Sequence, residues 1–169
     1  MEKHDAAYIA GLLDSDGWVT LTHGGTGHSI VTHQVGLVNR NRFVLEWIQS
    51  LFGGTIIAHS RPKTKQGMKW SQTWTYKPGS KAIRNFLETL YPFTKIKRRQ
   101  VELVLEFLDT IGKAPFKVKS DIVEKRNKMM VECRRLNTNG LDYKVHYRFE
   151  PITGTAIAIG ETSPVSTTA

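Results

Sequence analysis

Residues 7 to 17 carry the stretch that decides the fold, Ala7-Tyr8-Ile9-Ala10-Gly11-Leu12-Leu13-Asp14-Ser15-Asp16-Gly17. The small residues Ala7, Ala10 and Gly11 predict a helix with one face almost free of side chains. Two such helices can approach until their backbones touch, as small-residue interfaces allow in other proteins. Asp16 is expected just past the helix end, so pairing two copies would bring two carboxylates together. The stretch therefore predicts a helix-to-helix contact with an acidic site at its end.

Alternating helices and strand pairs are predicted around this stretch. Asp5 is expected to cap a first helix at 6–13. Strands follow at 18–23 and 30–38, where apolar and polar residues alternate, and Asn41 is expected to cap a helix with an apolar stripe of 3.6-residue period. The remaining predicted elements are strands at 55–60 and 69–77, helices after Ser80 and Pro92, and a helix at 120–136.

The predicted order is αββαββα, followed by additional C-terminal helices. Hairpins imply an antiparallel four-stranded sheet, here a saddle, with helices on one face, which is an α+β fold. The other face must meet solvent or a partner. Residues 1–150 are expected to form a single domain. Residues 151–169 are small, polar and nearly uncharged, and we expect a flexible C-terminal tail.

Composition limits the compartment and the cofactors. No stretch approaches the roughly 20 apolar residues of a membrane span, and no secretory leader is visible. The single cysteine, Cys133, cannot form an internal disulfide, and no Cys/His pattern suggests zinc. An intracellular protein is expected, cytoplasmic in a prokaryote or organellar in a eukaryote.

The charge distribution favours an anionic partner. The formal net charge is +9, and residues 17–87 contain nine Lys and Arg residues against one acidic residue, Glu46. A nucleic acid is the partner that this balance favours, although a solvated basic surface remains open. The residues expected on the outer sheet face or in its basic loop, and hence at DNA, are Trp18, Thr20, Thr22, Gln34, Arg61, Lys63, Lys69, Ser71, Thr73 and Thr75.

The stretch from Ile9 to Gly17 resembles the signature of the LAGLIDADG homing endonucleases. The resemblance runs from about Ala7 to Ile111 and includes Val35-Gly-Leu-Val-Asn39 and Tyr91-Pro-Phe-Thr-Lys-Ile-Lys97. It implies an endonuclease that uses Mg²⁺, or Mn²⁺, to hydrolyse both strands of a long pseudo-palindromic double-stranded DNA site. Only one motif occurs in the chain, so the resemblance implies a homodimer with Ala7, Ala10 and Gly11 at its interface.

The resemblance also implies site residues. Asp16 would bind the metal together with the backbone carbonyl of Ser15. Asn39 would orient the attacking water, or would merely be a turn residue. Lys97 would lie near the scissile phosphate, or would only anchor phosphate. A further basic residue is Arg40 or Arg42; Arg42 is assigned to catalysis and Arg40 to DNA contact, although the alignment leaves both open.

Alternatives of other classes stay open. The same fold could serve as an RNA maturase or a non-catalytic DNA-binding regulator, and a basic α+β RNA-binding domain would share the composition. The histidines have irregular spacing, which favours surface or DNA-contact roles over metal binding; the ones considered are His23, His28, His33 and His59. If the reading frame lay inside an intron, the target would be the joined exon junction.

Overall fold

The computed structural model describes residues 1–24, 30–59, 72–111 and 120–138, together with two strands near the C-terminus. The elements are α1 (Lys3–Asp16), β1 (Gly17–Gly24), β2 (Ile30–Asn39), α2 (Arg42–Phe52), β3 (Thr55–His59), β4 (Thr73–Lys77), α3 (Ile83–Leu90), α4 (Arg98–Asp109), α5 (Ser120–Asn137), β5 (His146–Phe149) and β6 (Ala156–Ile159).

Helix α1 is longer at both ends than the sequence predicts. Glu2 is its N-cap, and the Glu2 backbone N–H donates to the Asp5 carboxylate at 3.0 Å in a capping box. At the other end the Gly17 N–H still donates to the Leu13 carbonyl oxygen. Asp16 is therefore the last residue of the helix, and the expectation that it lies past the helix end is wrong.

The four-stranded sheet is antiparallel throughout and has the order β1-β2-β4-β3. The two hairpins meet at its centre, where Leu37 pairs with Tyr76 and Asn39 pairs with Trp74. The predicted α+β fold with an antiparallel sheet is confirmed. Strands β1 and β3 form the two edges, while β2 and β4 are flanked on both sides.

The connection between α2 and β3 depends on two glycines. Asn41 caps α2 as predicted, since its side-chain oxygen accepts from the Phe43 N–H at 3.0 Å. Gly53 and Gly54 end the helix with φ angles of 70° and 97°. A Cβ at Gly54 would lie 2.3 Å from the Lys77 carbonyl oxygen, so the chain can pass this close to β4 only without a side chain.

One hydrophobic core lies between the helices and one face of the sheet. Helix α1 contributes residues at helical spacing, and all of them are buried: Ala6, Ile9, Ala10 and Leu13. The sheet contributes a second set of buried side chains, which define its helix-facing side: Val19, Leu21, Val31, Val35, Leu37 and Tyr76. The opposite side of the sheet is called the outer face below.

Helix α5 covers the edge strand β1. The Asn137 side-chain amide donates to the Val19 carbonyl oxygen at 3.0 Å, and the Cys133 thiol lies 3.7 Å from the same oxygen. An edge strand otherwise exposes such carbonyl groups to water or to another chain. None of the helices in the described segments is long and apolar enough to cross a membrane.

Strands β5 and β6 form a separate two-stranded antiparallel sheet, with His146 opposite Ile159. The composition of residues 151–169 gave no indication of β6. A second difference concerns α3, which begins at Ile83 with Ala82 as its N-cap, so Ser80 is not the cap.

Candidate functional site

The outer face carries polar side chains where β1 and β2 pair. Thr20 lies opposite Gln34, and Thr22 lies opposite Thr32. The hydroxyl oxygens of Thr22 and Thr32 are 3.5 Å apart. The structure thus brings the predicted DNA-contact residues Thr20, Thr22 and Gln34 into one patch of hydroxyl and amide groups.

Trp18 lies on the same face but is packed against the sheet. It is half-buried and faces Gly36 across the strand pair. A Cβ at Gly36 would lie 2.4 Å from the indole ring and 2.7 Å from the Tyr76 carbonyl oxygen. The ring therefore rests on a glycine, and Trp18 exposes only part of its side chain.

Strand β4 contributes less to the outer face than predicted. Thr73 is half-buried, but Thr75 is 3% exposed and lies between Val38 of β2 and Ile57 of β3. A small side chain on a central strand is shielded by its neighbours on both sides. Thr75 is therefore too buried to contact DNA, and the prediction that it does so is wrong. The other predicted contacts on this hairpin lie outside the described residues: Arg61, Lys63, Lys69 and Ser71.

A cleft of about 370 Å³ lies where the end of α1 meets the ends of β2 and β4. Its lining residues are Asp16, Val38, Asn39, Arg40 and Thr73. Asp16 is exposed, and no hydrogen bond to another described residue occupies its carboxylate. The cleft therefore combines a free carboxylate with an amide, a hydroxyl and a guanidinium.

Asp14 connects the motif helix to the segment that precedes α4. Its carboxylate accepts backbone N–H groups from Lys95, Ile96 and Lys97 at 2.7, 3.1 and 2.9 Å. The Lys97 ammonium also donates to the Asp14 backbone carbonyl oxygen. Sequence reasoning missed Asp14. Its spacing from Asp16 indicates only that the two side chains point in different directions on a helix, and it gives no indication of the partners at 95–97.

Lys97 is half-buried beside this link. Burial lowers the pKa of its ammonium, while the Asp14 and Asp16 carboxylates raise it. Because the Lys97 ammonium donates to the Asp14 carbonyl oxygen, it lies at the C-terminal, negative end of α1. The structure thus brings together Asp16 and Lys97, two residues that the resemblance assigned to the same site.

Asn39 has the turn role that the sequence left open as an alternative to orienting water. Its side-chain oxygen accepts from the Asn41 backbone N–H at 2.8 Å. The oxygen is therefore engaged locally, although Asn39 also lines the cleft. Orientation of a water by Asn39 would have to use its amide N–H groups.

The two candidate arginines, Arg40 and Arg42, have different surroundings in the structure. Arg40 is exposed and lines the cleft. Arg42 donates to Glu46 at 2.7 Å, and its guanidinium lies over the Trp74 ring at 4.6 Å from the ring centre. Arg40 is therefore the arginine that lines the cleft, and the assignment of Arg42 to catalysis stays a prediction.

Only two of the three small residues predicted on one face of α1 are exposed. Ala7 and Gly11 are exposed, and a Cβ at Gly11 would meet nothing within 4 Å. Ala10 is 0% exposed because it faces the chain's own core, so its predicted place at a dimer interface is wrong. Tyr8 borders the face, 52% exposed, with its ring 6.0 Å from that of Trp47.

The oxygen donors at the cleft suit a hard metal ion. The described residues contain no group of three Asp, Glu, His or Cys side chains that could hold a metal. One chain instead offers the exposed Asp16 carboxylate and the backbone carbonyl of the exposed Ser15. Mg²⁺ suits oxygen ligands of this kind and usually keeps several waters.

Two histidines lie away from the outer face. His33 occupies the helix-facing side of β2, where its ring is 5.9 Å from that of Phe107. His23 is half-buried, and its Nδ1 is buried without a hydrogen-bond partner in the described structure. The expectation of a surface or DNA-contact role is therefore wrong for both. His59 is exposed on β3, and His28 lies outside the described residues.

Solved structures share this arrangement of helices and sheet. The homing endonuclease I-CvuI, solved in complex with its target in the presence of calcium, aligns with a TM-score of 0.61 and 20% identity over 83% of this chain and 88% of its own. The archaeal intron-encoded homing endonuclease I-Vdi141I, complexed with DNA, aligns with a TM-score of 0.63 and 17% identity over 86% of this chain and 91% of its own.

The chain has the LAGLIDADG endonuclease fold. The meganuclease I-SmaMI, bound to uncleaveable DNA, matches with a TM-score of 0.53 and 18% identity, over 83% of this chain but 47% of its own. No family model and no curated protein matches the sequence. At these sequence identities the structural similarity establishes the fold, and the activity is inferred from the residues of the site.

Proposed function

We propose that this chain is one subunit of a homodimeric homing endonuclease that hydrolyses both strands of a long, pseudo-palindromic double-stranded DNA site. The observation that carries the proposal is the exposed Asp16 carboxylate at the end of the motif helix, in a cleft with Arg40 and beside Lys97. A carboxylate and cations at the rim of a polar sheet suit phosphodiester hydrolysis. I-CvuI and I-Vdi141I, which share the fold, were both solved on DNA.

Double-stranded DNA is the partner that best matches the outer face. The patch of Thr20, Thr22, Thr32 and Gln34 presents hydroxyl and amide groups that can bond to base edges. The net charge of +9 supplies attraction to phosphates independently of sequence. The sheet would therefore hold DNA by charge and distinguish its sequence by polar contacts.

A homodimer completes the site. One chain carries one motif, and its described residues offer too few ligands for a metal, while Ala7 and Gly11 leave space for a second helix beside Asp16. The chain also matches nearly the full length of I-Vdi141I and less than half of I-SmaMI. Two copies about a two-fold axis would bring two Asp16 carboxylates together.

Each residue in or beside the cleft has its own role in the proposed hydrolysis. A bound Mg²⁺, or Mn²⁺, would polarise the phosphate and lower the pKa of a water. Asp16 and the Ser15 carbonyl would hold that ion. Lys97 would offset negative charge that builds on the phosphate oxygens, and Arg40 would bind the adjoining phosphate. Asn39 would use its amide N–H groups to orient water.

Selection from a randomised DNA library tests the proposal. We expect the wild-type chain with Mg²⁺ to enrich cleaved sites whose two halves are related by a dyad. Asp16→Asn should abolish cleavage of those sites while its affinity for them stays within about tenfold, since the metal that Asp16 would hold acts on the chemical step. Asp5→Asn, at the opposite end of α1, is the matched control and should cleave normally.

Two results would contradict the proposal. Cleavage by Asp16→Asn at the wild-type rate would remove this carboxylate from the reaction. A preferred site whose halves have no dyad relation would contradict the homodimer.

A further inference from the structure

Helix α4 begins without a cap of its own. Lys97, at the N-cap position, makes no side-chain capping bond, and the first turn contains no acidic residue. The first N–H groups of a helix have no partner within it, and its N-terminus carries a partial positive charge. The first turn instead contains Arg98 and Arg99, which add further positive charge. A negative group from elsewhere in the chain is needed here.

Asp14 supplies that negative group from 81 to 83 residues away. Both of its carboxylate oxygens are used: one accepts from the Lys95 and Ile96 N–H groups, the other from the Lys97 N–H. Hydrogen bonds to an ionised acceptor are about twice as strong as neutral ones. The backbone of 95–97 is therefore fixed against the end of the motif helix.

The same residue also fixes the side chain of Lys97. The Lys97 ammonium donates to the Asp14 carbonyl oxygen, so the main chain and the side chain of Lys97 both bond to Asp14. The next two cations along the chain are directed elsewhere. Arg98 lies over the Tyr91 ring at 4.5 Å, and Arg99 bonds to Glu132 at 2.7 Å.

We propose that Asp14 is a positioning residue that sets where the Lys97 ammonium lies relative to the Asp16 cleft. This inference rests on the proposed nuclease function, but it assigns a role to the motif carboxylate that lies outside the cleft. A simple helix cap would need only the carboxylate bonds to the backbone. The additional bond, from the Lys97 ammonium to the Asp14 carbonyl oxygen, links this cap to the side chain that is proposed to lie near the reacting phosphate.

A double-mutant cycle between Asp14 and Lys97 tests this role. Asp14→Asn keeps the size of the side chain, but it must turn an NH₂ group toward at least one backbone N–H donor. On the selected DNA site, we expect single-turnover cleavage to slow by about tenfold or more, with affinity in Ca²⁺ within about threefold. In a Lys97→Ala chain, the same substitution should slow cleavage by less than about threefold, because coupled residues are not additive.

Two further variants control for folding. Asp5→Asn also removes a carboxylate that accepts a backbone N–H of α1, and it should leave the cleavage rate unchanged. Asp14→Glu retains the charge and should recover part of the rate. If Asp14→Asn does not fold, Asp14→Glu is taken through the same cycle.

The outcomes separate this inference from the proposed function. Equal losses from Asp14→Asn with and without Lys97, or no loss at all, would overturn the positioning role while wild-type cleavage still supported the nuclease. Amide hydrogen exchange provides a readout that needs no cleavage: exchange at 95–97 should accelerate in Asp14→Asn and stay slow in Asp5→Asn. Unchanged exchange at 95–97 would also overturn the inference. A wild-type chain that cleaves no DNA would instead reject the nuclease proposal, whatever the exchange result.

Discussion

His33 lies on the helix-facing side of β2, next to Leu21 across the strand pair and 5.9 Å from the Phe107 ring. Burial lowers the pKa of its imidazole below the ordinary value of 6.5. The unfolded chain therefore binds more protons than the folded chain as the pH falls through 6.5. The stability associated with the neutral ring is complete above that value and declines below it.

Replacing His33 with Gln should make unfolding less dependent on pH. Between about pH 7 and pH 5, the free energy of unfolding of the wild-type chain should fall more steeply than that of His33→Gln. Urea unfolding at several pH values measures the difference. His59→Gln, on the exposed strand β3, should retain the wild-type slope. Identical slopes for wild type and His33→Gln would show that the His33 environment does not oppose protonation.

At the level of secondary structure, two side chains of α5 donate to one edge of the sheet, and Asn137 makes the shorter bond. Asn137→Ala would remove the 3.0 Å bond to the Val19 carbonyl oxygen and leave only the weaker donor, the Cys133 thiol, at 3.7 Å. We expect a loss of about 0.5–1.5 kcal/mol in the free energy of unfolding, as for one intramolecular hydrogen bond. Chemical denaturation measures it. Thr138→Ala is the control, because its hydroxyl bonds only to carbonyls of its own helix and lies exposed; an equal loss there would refute the edge role.

Most of these elements could be predicted from the sequence, because their signals are local. The apolar stripe after Asn41, the Gly53-Gly54 stop and the alternation in β1 each depend on a few neighbouring residues. Burial of one face then determines the register of a strand. The end of α1 was missed since Asp14, Ser15 and Asp16 favour turns in sequence but continue the helix here.

The errors in the site have a different origin, which is long-range packing. Ala10 and Gly11 are adjacent in sequence, and only the position of the core shows that one faces inward and the other outward. The Arg42 guanidinium lies over Trp74, a strand partner of Asn39, and no pattern around Arg42 indicates this contact. The role of Asp14 depends on residues 95–97, so no local pattern could predict it.

At the scale of the whole molecule, the exposed face of α1 is the surface through which the proposed dimer would form. Gly11→Leu would place a large side chain where the partner helix is proposed to lie, twice in a symmetric dimer. Overpacking of this kind costs about 1–3 kcal/mol per site. Sedimentation should therefore show monomers at concentrations where the wild-type chain is dimeric.

The control for assembly is Asn85→Leu, which places the same leucine side chain at an exposed position of α3. It should sediment as the wild type does. A Gly11→Leu chain that remained a stable dimer would place the interface on another surface, and the pairing of two Asp16 carboxylates would then fail with it.

The bonds from Asp14 to residues 95–97 also impose an order in time. A ribosome completes the motif helix and both hairpins before it reaches Lys97, because the partners of Asp14 are encoded more than eighty codons downstream. The free energy of closing a long loop is little more than that of closing a short one. Formation of these bonds is therefore delayed by synthesis of the chain rather than by chain entropy. A nascent or prematurely terminated chain would therefore display Asp16 without its lysine, and under the proposed function it would not cleave DNA.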